Sequence, residues 1–245
     1  MRADAFLPLL HTLPVAGLTA MTGGRGLVVV APHPDDESLG CGGLIAEACR
    51  RGDAVRLVVV SDGCGSHPNS RLYPRERLRA LRQDETLRAV AALGLVPGHV
   101  TFLGLPDAHV PRAGPEARSA ADRIAAAAQD CDAGAVFVTW RHDPHCDHAA
   151  AAAIVDLARP RRPAMRAFAY PVWGWTLPPE REVGPAPRGF RLDIEPHRAA
   201  KRRAVAAHAS QTTGLIADDP EGFRLPEAMV ERLCGPHEWF IELPE

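Results

Sequence analysis

Lysine is almost absent from this 245-residue chain: Lys201 is the only one. Schiff-base and pyridoxal chemistry is thereby disfavoured, because a single residue in a late, Arg-rich stretch would have to carry it. An excess of charge of either sign is lacking too. With 28 basic and 30 acidic side chains the formal net charge is -2, which offers no electrostatic reason to expect nucleic acid or an anionic membrane as partner. No apolar run approaches the roughly 20 residues of a membrane span, and the patch Ala5 to Leu10 is broken up by Asp4, His11 and nearby prolines. The cysteines at 41, 49, 64, 131, 146 and 234 form no C-x-x-C pair, which excludes a zinc knuckle and a thioredoxin-like motif. A disulfide framework is not expected in a chain this long, and a cytoplasmic protein is. G-x-S-x-G and the P-loop are missing, so serine-hydrolase and nucleotide-triphosphatase readings have no support. Small molecules are left as the default ligand class.

What is present is an alternation of short buried strands and helices. Gly26 to Ala31 is a β-branched run bounded by Gly24 and Pro32, the signature of a strand covered on both faces. A helix is predicted from Ser38 to Arg51, closed by Gly52, then a strand from Val55 to Val60. An Arg-rich helix spans Arg75 to Leu93, a strand Val100 to Leu103, an Ala-rich helix Ser119 to Ala128, a strand Ala133 to Trp140 and a helix Ala149 to Leu157. The order predicts an α/β fold: a Rossmann-like, doubly wound, mainly parallel sheet with helices on both faces. Later come a strand at Ala167 to Trp173, a Pro- and Gly-rich loop at Pro178 to Gly189, a strand at Arg191 to Ile194 and a helix at Pro196 to His208. A single domain over residues 1–245 is expected, with its core at about 26–211 and a C-terminal extension at 212–245.

Histidine, in contrast to lysine, is plentiful, with 11 residues, and its placement is informative. In open α/β sheets ligands bind outside the carboxyl ends of the strands, and two polar clusters fall there. Pro32-His33-Pro34-Asp35-Asp36-Glu37 follows the first strand, and Arg141-His142-Asp143-Pro144-His145-Cys146-Asp147-His148 follows the strand ending at Trp140. His33 and Asp36 stand three residues apart across a turn stiffened by two prolines, a spacing from which both can bind one metal. With His148 as a third ligand the site has two histidines, one carboxylate and open positions, a composition that suits catalytic zinc. A zinc-bound water has a pKa of about 7, and the unliganded Asp35 is placed to take its proton. Helix capping by Asp35, Asp36 or Asp147 is the competing explanation for either cluster alone. Their joint occurrence after two buried strands favours the metal. His11, His67, His99, His109, His197 and His237 are read as surface or packing residues, and His142 at most supports a ligand. Gly40, Gly42 and Gly43 lie inside a helix, off the spacing of a dinucleotide fingerprint, and are read as sites of close helix packing.

At these residues the chain resembles the PIG-L, or LmbE-like, family of zinc-dependent N-acetylglucosaminyl deacetylases. Pro32-His33-Pro34-Asp35-Asp36-Glu37 is similar to the family's H-P-D-D-E motif, and His145-Cys146-Asp147-His148 to its H-P-D-H motif, with Cys146 replacing the proline. Arg82-x-x-Glu85, Leu103-Gly104-Leu105-Pro106-Asp107 and Lys201 with His208-Ala209-Ser210-Gln211 extend the likeness. The resemblance implies that His33, Asp36 and His148 hold Zn2+, or Fe2+ or another divalent metal, with Asp35 as general base. It implies that His145 stabilises the oxyanion or protonates the leaving group, that Asp147 orients His145, and that Arg82 and Asp107 contact the substrate. The implied reaction is removal of the acetyl group from an N-acetylglucosamine-type sugar or glycoconjugate.

The same residues fit two rival readings. Two histidines and a carboxylate also form the facial triad of non-haem Fe(II) oxygenases. A non-catalytic metal- or sugar-binding protein on the same fold is the other, although Asp35 has no purpose there. Trp173, Trp175 and the loop 178–189 are candidates for the mouth of the site, with packing on the late strand as the alternative. A homo-oligomer is left open.

Overall fold

The computed structural model describes residues 1–244. The chain begins with helices α1 (Ala3–Leu10) and α2 (Leu18–Thr22), then alternates through β1 (Gly26–Ala31), α3 (Asp36–Arg51), β2 (Val55–Ser61), α4 (Arg75–Ala92) and β3 (Val100–Leu105). It continues with α5 (Gly114–Asp130), β4 (Ala133–Thr139), α6 (Cys146–Ala158), β5 (Arg166–Tyr170), β6 (Gly189–Asp193), α7 (Arg198–Ala207), α8 (Ala209–Thr212), α9 (Glu227–Leu233) and β7 (His237–Glu242). The strands form one sheet in the order β3-β2-β1-β4-β5-β7-β6, with β1 to β5 parallel and β7 antiparallel to both its neighbours. The α/β, mainly parallel, doubly wound class expected from the alternation is the fold observed.

Period-two burial explains the layering. Leu27, Val29 and Ala31 of β1 enter one apolar cluster with residues of α3, α4 and α7, while Val28 and Val30 enter another with α5 and α6. Covered on both sides, β1 can be apolar at every position. Helix α3 ends at Gly52, whose φ of 79° is a left-handed C-cap. Its glycines lie at close approaches: a Cβ on Gly40 would overlap the ring of Tyr170 in β5, and one on Gly43 would overlap Ile194.

Sequence patterning misses five elements: helices α1, α2, α8 and α9 and strand β7. The segment 212–245, expected as an extension beyond the core, supplies β7, which lies within the sheet between β5 and β6. Its inward positions are Glu238 and Phe240, both buried. A buried glutamate breaks the apolar alternation by which a strand is recognised. Among the described residues no helix is long and apolar enough to cross a membrane.

The sheet order places the topological switch between β1 and β4, where crossovers leave in opposite directions and a crevice opens at the carboxyl edge. Both histidine-containing clusters arise there.

Candidate active site

Directly after β1 the chain turns through Pro32-His33-Pro34, and the Asp36 N–H donates to His33 O at 3.3 Å. This turn folds the Asp36 side chain back over His33. Asp36 Oδ2 accepts from the His33 backbone N–H at 3.0 Å and lies 3.1 Å from His33 Nδ1. From the other side of the switch, His148 in the first turn of α6 places Nε2 3.3 Å from the same oxygen. The three groups predicted as metal ligands are therefore gathered around one carboxylate oxygen.

The tautomer of His148 is set by a residue that sequence reasoning overlooked. Asp143 Oδ2 lies 2.9 Å from His148 Nδ1 and also accepts from the N–H groups of Val172 and Trp173. With the Nδ1 proton directed at Asp143, His148 Nε2 presents a lone pair; it is buried and makes no hydrogen bond. Asp143 sits five residues before His148 in a loop already dense in polar residues, and a carboxylate behind a ligand histidine was the available signal. His142, its neighbour, turns away to pack edge-on against Trp140 with ring centroids 5.1 Å apart.

The electrostatics of the cluster call for positive charge at its centre. Burial works to neutralise Asp36, but His148 and His33 hold its carboxyl well below the usual carboxylate range. Burial likewise opposes a proton on His148, yet Asp36 and Asp143 push this imidazole up to about 9. His33 is raised well above its ordinary value against burial by Asp107, Asp147 and Asp36. A divalent cation satisfies the same demand. A ring nitrogen of His33, a carboxylate oxygen of Asp36 and the unpartnered buried lone pair on His148 Nε2 fit such an ion. His145 comes within reach as well, for single ring nitrogens of His33, His145 and His148 lie within 4.8 Å of one another.

His145 caps the N-terminus of α6: its Nδ1 accepts from the Asp147 N–H at 3.2 Å. A neutral His145 thus carries its proton on Nε2. Burial lowers its pKa, aided by the charges of His33 and His148, which favours that neutral form. The Asp147 carboxylate, expected to orient His145, is engaged elsewhere: it accepts from the N–H groups of Ala108 and Val110 and lies 3.2 Å from His33 Nε2. The hydrogen bond that joins Asp147 to His145 comes from its backbone N–H, not from the carboxylate. Asp107 Oδ1 stands 3.2 Å from the same His33 nitrogen, and Asp107 Oδ2 accepts from Gly65 N–H at 2.8 Å.

Asp35 is buried, and burial lifts its carboxyl to about 6 although Arg82 pulls it down. That lies within the range of a general base working near neutrality. Arg82 is buried too. Its Nη1 donates to Gly63 O, and its Nη2 donates to Pro34 O at 2.7 Å and to Asp35 Oδ2 at 3.2 Å. The guanidinium expected to contact a sugar is thus largely occupied in holding Asp35 and its loop.

His33, Asp35, Asp36, Arg82, Asp107 and His145 line a cavity of about 460 Å³ whose remaining wall includes Ser66, Ala108, Trp173, Gln211 and Phe223. Trp173 and Phe223 meet edge to face at 5.8 Å. Of the residues expected at the mouth only Trp173 is there. Trp175 packs against Trp239 and His11, and the loop 178–189 lines a separate groove with Phe6 and Trp140. It is tied to α1 by Ala3 N–H to Arg181 O and Asp4 N–H to Pro179 O. Phe223 takes the place expected for it, from a segment in which one aromatic among prolines and charges carries no pattern. Cys146, the departure in the second motif, is exposed and unpaired.

Residues 28–158, more than half of the chain and including both motifs, match the family model described as PIG-L, GlcNAc-PI de-N-acetylase. The chain belongs to the PIG-L family. No curated protein matches it. Among solved structures it is similar to the N,N'-diacetylchitobiose deacetylase from Pyrococcus horikoshii, at 18% identity and TM-score 0.66, covering 98% of this chain and 91% of that one. The conserved protein TT1542 from Thermus thermophilus is 27% identical with TM-score 0.63, over 89% of this chain and 94% of that one. GalB, the 4-carboxy-2-hydroxymuconate hydratase from Pseudomonas putida, is 19% identical with TM-score 0.64, over 90% of this chain and 97% of that one. PIG-L membership displaces the facial-triad oxygenase and the non-catalytic binder as readings of the cluster.

Proposed function

We propose that this PIG-L protein is a zinc-dependent N-deacetylase that hydrolyses the acetamide of an N-acetylglucosamine-type sugar or glycoconjugate, releasing acetate and a free amine. The observation that carries this reading is the position of Asp35, a buried carboxyl raised to about 6, in the same cavity as His33 and Asp36, with His148 Nε2 behind them 3.3 Å from Asp36 Oδ2. Two histidines and one carboxylate are the ligand set of hydrolytic zinc sites, which supports zinc as the metal. When bound there, the ion supplies Lewis-acid polarisation of the amide carbonyl and acidifies water.

The chain's own groups supply the proton transfers. Asp35 accepts the proton of the attacking water at its carboxylate. His145, with its proton on Nε2, donates a hydrogen bond to the oxygen that gains charge as the carbonyl becomes tetrahedral. As the C–N bond breaks, the amine nitrogen takes its proton from protonated Asp35 or from His145. Asp107 and Arg82 line the same cavity, and we place the sugar against them, with the Trp173 and Phe223 pair as its apolar wall. Residues 1–245 act as one domain in this account, and six unpaired cysteines accord with a cytoplasmic location.

The test is acetate and primary-amine release from a panel of N-acetylated monosaccharides, oligosaccharides, glycolipids and glycopeptides by zinc-loaded protein. Equimolar acetate and amine from one class is the expected result. Acetate release also separates deacetylation from hydration, the reaction of one protein with this fold, because adding water to a double bond liberates nothing. No release from any substrate by fully loaded protein would overturn the reading.

A further inference from the structure

Asp35 has φ 151° and ψ -27°, a region that side chains rarely occupy and that persists only where surrounding contacts impose it. Those contacts are identifiable, and they grip a single peptide unit from both ends. On one side Arg82 Nη2 donates to Pro34 O at 2.7 Å. On the other, Glu37 Oε2 accepts from the Asp35 N–H at 3.0 Å. Glu37 is fully buried, and its second oxygen accepts from Ser38 Oγ at 2.7 Å and lies 3.0 Å from His208 Nε2. His208 is itself fixed, for it precedes a turn in which Glu85 accepts from both the N–H and the hydroxyl of Ser210. A rigid path therefore runs from α4 and α8 through His208 and Glu37 to the backbone of Asp35.

We infer that Glu37 is a positioning residue: by accepting the Asp35 N–H it locks the Pro34–Asp35 peptide and so aims the Asp35 carboxylate into the cavity. The inference rests on the proposed role of Asp35 as base, but the lock itself does not. Two substitutions separate reach from charge. Glu37→Asp keeps the negative charge and withdraws it by about one C–C bond, roughly 1.5 Å. Glu37→Gln loses the charge and keeps an oxygen at the same reach; His208 can meet the new amide by changing tautomer, because its Nδ1 has no partner.

Both variants are compared with the wild type by amide hydrogen exchange at Asp35, zinc content, kcat and KM. Glu37→Gln should keep the Asp35 amide protected and kcat within about threefold. Glu37→Asp should lose that protection and about 10- to 100-fold in kcat, with KM and zinc content unchanged, as expected for about 1 Å of misplacement of a reacting group. The proposal is overturned if Glu37→Asp retains both protection and kcat, if Glu37→Gln loses as much as Glu37→Asp, or if the loss lies in zinc content or KM. Should wild-type protein release no acetate while amide protection still follows this pattern, the deacetylase reading fails and the lock stands.

Discussion

Replacing Lys201 with methionine will destabilise the protein without touching its chemistry, and the size of the effect can be worked from the structure. Lys201 in α7 is fully buried, and its Nζ donates to Glu238 Oε1 at 2.7 Å. Glu238, on β7, also accepts from the N–H groups of Gly43 and Leu44 in α3 at 2.7 and 2.8 Å. One ion pair thus ties α3, α7 and β7 together. Removing one partner of a buried pair costs about 3–5 kcal/mol, since the other charge is left in low dielectric. Glu238 keeps two amide donors, so the lower end, about 3 kcal/mol, is expected. For a chain of this length about 2–4 °C of melting temperature is lost per kcal/mol, a fall of roughly 6–12 °C. Lys201→Met/Glu238→Gln, with no charge stranded, should be more stable than Lys201→Met alone. Equilibrium unfolding in urea, followed by circular dichroism on wild type, Lys201→Met, Glu238→Gln and the double variant, measures this cycle. A Lys201→Met variant within about 0.5 kcal/mol of wild type, or additive losses in the double variant, would refute the reasoning.

Other expectations follow from the same geometry. Asp143→Ala removes the acceptor behind His148 Nδ1, and zinc affinity measured by chelator competition should fall about 10- to 100-fold. Gly40→Ala forces a methyl group into the buried ring of Tyr170 and should destabilise the protein by about 1–3 kcal/mol or more in thermal unfolding. Amine-reactive reagents should leave Lys201 unmodified in the native protein, and thiol reagents should modify the exposed Cys146 ahead of the buried Cys41, Cys64, Cys131 and Cys234 under mass-spectrometric readout.

Local pattern carries the parallel half of the sheet, because β1, β2 and β4 are short apolar runs buried on both faces, and β1 is bounded by glycine and proline. The ligand candidates His33, Asp36 and His148 were legible for a related reason: each follows directly on a readable strand or opens a readable helix. Legibility ends where a role depends on a long-range partner. Asp143 gains its meaning only when β4 and β5 bring His148, Val172 and Trp173 around it. Glu37 reads as a first-turn helix residue until His208, 171 positions away, closes on it. Glu238 disguises β7, since the lysine that makes its burial tolerable lies on another helix. Phe223 reaches the cavity through one backbone bond from its N–H to Ser66 O, which no periodicity announces.

The central claim, that Asp35 is the base beside a metal held by His33, Asp36 and His148, is tested most directly by Asp35→Asn. Metal content and acetate release are measured on the same zinc-loaded sample. Wild-type metal content with acetate release reduced by at least about 100-fold is the predicted result, the scale of a lost general base. Full acetate release at unchanged metal content would contradict it.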